Sequence, residues 1–143
     1  MVNPEKVHSL LRNLQSALEQ LRQIAQMDQK RFLGDGLALG AAKYYLLTAI
    51  EACIDTGNHI IASEGYRAPQ DYRDVFTVLE ENRVVIDLLA TKLRQMAGLR
   101  NRLVHLYWEI DDELIYQYIQ ANLNDFDEYN QAVLSFLRRF KAA

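Results

Sequence analysis

Cysteine, proline and glycine are all scarce in this chain. One cysteine, Cys53, occurs in 143 residues, so no internal disulfide can form. Cys53 lies in an apolar stretch, which suits a small core residue in a reducing compartment. With Pro 2 and Gly 6, breakers are few, and the abundance of Leu, Ala, Gln, Glu and Arg favours helix. There is no convincing strand, internal repeat or low-complexity tract. Positive charge is also short. A net charge of -3 withholds the broad basic footprint of a nucleic-acid binder, so any RNA contact must use a local patch. No apolar run looks long enough to span a membrane. Met1-Val2-Asn3-Pro4-Glu5 lacks the basic start and apolar run of a signal peptide. The expectation is a cytoplasmic protein without membrane contact, built as one domain over 1–143.

Hydrophobic residues at 50% and charged residues at 24% are enough for one real core without metal or disulfide support. Val7, Leu10, Leu11, Leu14, Leu18, Leu21, Ile24 and Ala25 recur at helical spacing. Asn3-Pro4 supplies a start signal for that helix, and a stop is expected near Lys30 to Gly34. A second helix is predicted from about Leu37 to Ser63, with small residues Ala38, Gly40, Ala41 and Ala42 inviting close approach of another backbone. Gly65 to Pro69 breaks the chain. Asp71 then caps a short helix carrying Val75, Phe76, Val78 and Leu79. Another helix follows from about Val85 to Leu106, burying Leu88, Leu89, Leu93, Met96, Leu99, Leu103 and Leu106. Asp111 and Asp112 mark a further start. The last stretch, Leu114 to Phe140, is interrupted or kinked at Asn122 to Asp127, and Arg138, Arg139 and Lys141 suit its end. These elements predict an all-α, antiparallel (up-down) four-helix bundle with an extra short helix.

The stretch from Met96 to Trp108 holds Arg100, Asn101, Arg102, His105 and Tyr107 within two turns of a helix end. Core packing does not need that set, since each unpaired polar group costs about 1–3 kcal/mol when buried. The residue types suit phosphate chemistry. Arginine offers a planar fork to phosphate oxygens, and histidine passes protons near neutrality. RNA brings its own nucleophile, the 2′-hydroxyl, so cleavage needs no metal where base, acid and charge stabiliser converge. At about 100° per residue, Arg100 and Tyr107 fall on one face and Asn101 and His105 on an adjacent one. Arg100 and His105 point roughly 140° apart. Either Arg100 reaches round on its long stem, or two copies meet across a two-fold axis, with Gly98 permitting the approach. The plain alternative is a helix end whose basic residues complement the dipole.

Arg100, four residues, His105, one residue, Tyr107 resembles the R-x4-H-x-Y signature of HepT toxins in the HEPN superfamily. Asn101 also matches that pattern. The stretch from Ala49 to Ala62 is similar to the family's second helix, and Tyr72-Arg73-Asp74-Val75-Phe76 and Trp108-Glu109-Ile110-Asp111 are similar to its flanking segments. The resemblance implies a helical-bundle homodimer and a metal-independent ribonuclease toxin without a cofactor. It also implies a minimal nucleotidyltransferase antitoxin that inactivates the toxin by transferring AMP to Tyr107. On this reading His105 is the general acid/base, and Arg100 binds phosphate and stabilises charge. Asn101 positions His105 or substrate, and Arg102 adds to a positive patch or faces solvent. The alternative is a non-catalytic helical subunit that holds a nucleotide or substrate for a partner nucleotidyltransferase.

Glu51, Asp55 and His59 share one helix face. A metal could use such a column, but no Glu-x-x-His partner appears on a second helix, so it reads as a solvated or interface stripe. Trp108 is expected to pack, and His8 to be exposed.

Overall fold

The computed structural model describes the backbone of residues 1–142 and the side chains of residues 1–139. Among the described residues there is no strand. Seven helices follow in order: α1 (Pro4–Ala25), α2 (Gln29–Leu33), α3 (Gly36–Glu64), α4 (Tyr72–Glu81), α5 (Asp87–His105), α6 (Asp112–Ala121) and α7 (Leu123–Ala142). A single 3-10 turn, Tyr107–Glu109, separates α5 from α6.

Local chemistry sets most of the starts. Asn3 Oδ1 accepts the Glu5 and Lys6 N–H groups ahead of Pro4. Asp35, Asp71 and Asp111 do the same for α3, α4 and α6. Each satisfies a donor that the first helical turn cannot. Gly65 closes α3 in the left-handed region, at φ 68°, a conformation glycine adopts without steric penalty.

The long helices α1, α3, α5 and α7 form the predicted antiparallel bundle. The start of α1 meets the end of α3, where the Met1 ammonium donates to Ser63 O and the Asn3 N–H to His59 Nε2. The end of α1 pairs with the start of α7 through Arg22 and Asp127. Lys92 in α5 faces Asp125 and Glu128 in α7, and Arg139 reaches back to the Arg83 carbonyl. Between them, Leu14, Leu18, Leu46, Ile50, Leu93, Phe126 and Tyr129 are fully buried. Burial of such side chains is the main favourable term in folding, at about 1.5–3 kcal/mol each. Cys53 is among them, and burial pushes its thiol pKa far up.

Four expectations need correction. First, α1 stops at Ala25 rather than near Lys30. Asp28 starts a separate turn by accepting the Arg31 N–H, which buries Phe32 against Tyr116 at 5.3 Å between ring centres. Second, Leu88 and Leu106 were expected in the core but are 67% and 45% exposed. One sits in the first turn of α5 and the other just past its end, where the bundle no longer covers the chain. Third, Gly40 has open space where a Cβ would stand, so no other backbone of this chain approaches it. Fourth, α3 is long and apolar enough to cross a membrane by length and composition. Many of its apolar residues, among them Leu46, Ile50 and Ile60, are buried in the bundle core. The side chains of Phe140 and Lys141 lie outside the described residues.

Candidate active site

The conspicuous polar cluster lies where α5 ends against α3 and the start of α4. Arg100 is half-buried, and three groups hold its guanidinium. Nη2 lies 3.3 Å from Glu51 Oε1, Nη1 donates to Asn101 Oδ1 at 3.4 Å, and the Tyr72 ring lies 4.3 Å below Cζ. Its Nε is buried with no acceptor. A donor left in that state costs free energy that an incoming acceptor would recover. Glu51 comes from the stripe predicted for α3, so the stripe is in part an interface with α5.

His105 is the last residue of α5 and is exposed. No hydrogen bond, ion pair or ring contact ties its imidazole to the side chain of any described residue, Arg100 and Asn101 included. Within one chain, therefore, Arg100 leans onto α3 and α4 while His105 meets solvent. The helical wheel gave their divergence correctly, and Arg100 does not reach round to close it.

The placement of Tyr107 was not predicted correctly. The helix ends at His105, Leu106 takes φ -128°, and Tyr107 opens the 3-10 turn. It therefore does not continue the Arg100 face. Its position comes from Lys43 of α3, a buried lysine whose Nζ lies 4.5 Å from the Tyr107 ring centre and 3.5 Å from Asp112 Oδ1. An ammonium over a ring face is attracted by the ring's negative quadrupole. Sequence reasoning missed Lys43. The available signal was a charged residue inside an apolar stretch, one position after Ala42 on the buried side of α3. Trp108, expected to pack, is 92% exposed and stands edge-on to Tyr107 at 5.2 Å.

Gly98 was expected to admit a second copy. It is buried, and a Cβ built there would fall on the guanidinium of Arg73. Arg73 of α4 thus occupies the space. Glycine inside a helix costs roughly 0.5–1 kcal/mol relative to alanine, and at Gly98 that cost makes room for a charged side chain. Asn101 is half-buried between this arginine and Tyr72, and Arg102 is exposed.

Of the rest of the α3 stripe, His59 has structural partners. His59 Nε2 accepts the Asn3 N–H at 3.2 Å, and burial, then Lys6 and the N-terminus, lower its pKa. The Asp55 pKa is raised by burial and by Glu51. Among the described residues, no three or more His, Cys, Asp or Glu side chains gather as metal ligands.

Comparison with known proteins bears on the family and the fold. The family model described as ribonuclease HepT-like matches residues 14–133. An mRNA nuclease HepT of Shewanella oneidensis is 39% identical over 79 residues, 55% of this chain and 59% of that protein. A tRNA nuclease HepT of Aphanizomenon flos-aquae is 29% identical over 87 residues, 61% of this chain and 59% of that protein. The matched segment is thus under two thirds of the length of either relative. In three dimensions the chain superposes on the tri-AMPylated Shewanella oneidensis HEPN toxin, solved in complex with its MNT antitoxin. The TM-score is 0.84 at 28% identity, covering 90% of this chain and 96% of that one. With the family model matched over most of its length and this fold in common, the chain belongs to the HepT-like ribonuclease family.

Proposed function

We propose that the chain is the ribonuclease toxin of a toxin–antitoxin pair, working as one HepT-like domain over 1–143 in the cytosol. The observation that carries this reading is Arg100. Its half-buried guanidinium has an Nε without an acceptor and a lone 3.3 Å carboxylate neighbour, Glu51, which is itself 43% exposed. A phosphodiester can replace so weakly held a counter-charge. Five residues on, His105 stands unencumbered as a proton carrier.

Cleavage proceeds as an internal transfer. His105 takes the proton of a 2′-hydroxyl, and the oxygen attacks the neighbouring phosphorus. The bond to the 5′-oxygen breaks, and that oxygen takes a proton from an imidazolium, the protonated His105 of a second copy. Arg100 stabilises the charge gathering on the phosphoryl oxygens, and Asn101 holds the substrate or the imidazole. No step calls for a metal. The divergence of Arg100 and His105 within one chain favours a groove shared by two copies about a two-fold axis. Dilution should then lower specific activity together with the mass seen by light scattering.

Control falls to Tyr107. A relative with this fold is described as tri-AMPylated and complexed with an MNT antitoxin. A nucleotidyltransferase antitoxin acting on Tyr107 would place phosphate beside the Lys43 ammonium and bulk near His105, excluding RNA by charge and volume. The test is expression of wild type and His105→Ala in cells lacking the antitoxin. Growth arrest with chelator-insensitive RNA cleavage, by wild type alone, is expected. Equal, harmless expression of both would favour a second reading, a non-catalytic subunit presenting nucleotide or substrate to a nucleotidyltransferase. That reading draws on the engagement of Arg100 with Glu51 and Tyr72 rather than with His105.

A further inference from the structure

The guanidinium groups of Arg73 and Arg102 carry no hydrogen bond or ion pair among the described residues, unlike those of Arg22, Arg67, Arg94 and Arg100, which all pair with carboxylates. They line one hollow of about 470 Å³ with Gln95, Gly98, Asn101 and Tyr118. No carboxylate lines it. The nearest acids in sequence are engaged elsewhere: Asp74 is held by Arg67, and Asp71 accepts the Asp74 N–H. Arg73 also lies in the first turn of α4, where the helix dipole disfavours a cation. Its guanidinium is seated on Gly98, at the spot a Cβ would fill. Arg12, Arg31 and Arg83 also lack a carboxylate partner among the described residues, but Arg73 and Arg102, both exposed, share one hollow that no carboxylate lines, and one of them is seated on a glycine.

We infer that Arg73 and Arg102 bind a phosphate of the RNA backbone flanking the one held by Arg100. Asn101 lines this hollow and accepts from Arg100 Nη1, so it stands between the two phosphate positions. This subsite rests on the RNA-cleaving reading above and extends it. Arg73 and Arg102 hold the strand without touching the reacting atoms. Because the contacts are to phosphate, they add affinity without base preference.

The test is fluorescence anisotropy of the full-length protein with a labelled 2′-O-methyl oligoribonucleotide, which lacks the nucleophile and cannot be cut. Arg73→Ala and Arg102→Ala should each weaken binding about five- to tenfold and flatten the salt dependence by about 0.7 in slope per lost phosphate contact. Arg73→Lys should keep the slope while losing part of the affinity, because charge remains but the fork does not. Arg12→Ala, an exposed arginine on α1, controls for general loss of charge, and thermal melts confirm folding. Binding by both alanine variants within twofold of wild type at an unchanged slope would overturn the subsite, as would absence of binding by wild type. An unmodified RNA of the same sequence separates the two claims. Arginine-dependent binding without cleavage removes the nuclease reading and leaves the subsite. Cleavage with arginine-independent binding does the reverse.

Discussion

Arg100 Nη2 and Glu51 Oε1 lie 3.3 Å apart, an ion pair joining the end of α5 to the middle of α3. The arginine side chain is 14% exposed and the glutamate 43%, so water already screens one partner. Pairs of this kind contribute about 0–1 kcal/mol. Glu51→Gln should therefore leave Tm nearly unchanged while removing a negative charge that competes with phosphate. Steady-state cleavage of RNA is expected to show KM lowered two- to fivefold, with kcat within twofold. A kcat loss above tenfold would mean that the carboxylate positions Arg100 rather than competing for it.

His105→Ala separates chemistry from folding. The imidazole is exposed and has no contact to lose, and surface changes of that kind stay within about 0.5 kcal/mol. Removal of a general acid/base costs about 10²–10⁴-fold in rate. RNA cleavage should fall in that range with the denaturation midpoint unmoved. A variant that unfolds, or one that retains cleavage, would remove His105 from its assigned role.

Acid should loosen the α4 end of the bundle first. Arg67 holds both Asp74 and Glu81. Hydrogen bonds from Arg67, then from the Gln70 N–H, bring the Asp74 pKa down to about 2, and Arg67 lowers that of Glu81. For carboxylates depressed in the folded state, the stabilisation is present above their unfolded values, 3.8 and 4.5. It is lost as pH falls through the folded ones. The Tm difference between wild type and Arg67→Gln should therefore shrink as pH is lowered from 4.5 toward 2. A constant difference across that range would show that the pair adds no pH-dependent stability.

Much of the fold was legible because its signals are local. Asn3-Pro4, Asp71, Asp111 and Gly65 act on the turn they occupy, and the apolar period of α3 and α5 reports the core except at the ends of α5, where Leu88 and Leu106 are exposed. The early end of α1 was not legible, since Asp28 opens a new turn only because Phe32 finds Tyr116, far along the chain. The residue types of the site were readable from Arg100 to Tyr107, but their directions were not. Tyr107 is placed by Lys43, Arg100 by Glu51 and Tyr72, and the space at Gly98 is filled by Arg73. Each of these is a contact between helices, and a wheel drawn for α5 alone contains none of them.

Gly57 is approached closely by three side chains in the core. A Cβ there would stand 2.7 Å from Val75 Cγ1, 3.2 Å from Leu79 Cδ1 and 3.3 Å from the Tyr129 hydroxyl. That hydroxyl is itself fixed, donating to the Cys53 carbonyl at 2.9 Å. Three buried neighbours leave little room to relax, so Gly57→Ala should cost about 1–3 kcal/mol through overpacking. This outweighs the helix propensity gained, roughly 1 kcal/mol. Urea unfolding should show a lower midpoint at an unchanged slope, and a midpoint at or above wild type would refute the close packing of α3 on α4 and α7.

Trp108 gives a direct readout of what happens at Tyr107. It is the chain's single tryptophan, is 92% exposed, and its ring centre lies 5.2 Å from that of Tyr107. A nucleotide joined to the tyrosine would bring an adenine to the indole, where the two flat rings can stack. Stacking on an aromatic side chain is worth about 1–3 kcal/mol per base. Incubation with a nucleotidyltransferase antitoxin and ATP should therefore change Trp108 emission and protect it from acrylamide quenching, in step with the mass added. Tyr107→Phe should abolish both changes, and Trp108→Ala should leave the added mass intact. A mass increase on Tyr107 with unaltered emission would place the adenine away from the indole, and modification of the phenylalanine variant would move the acceptor to another residue.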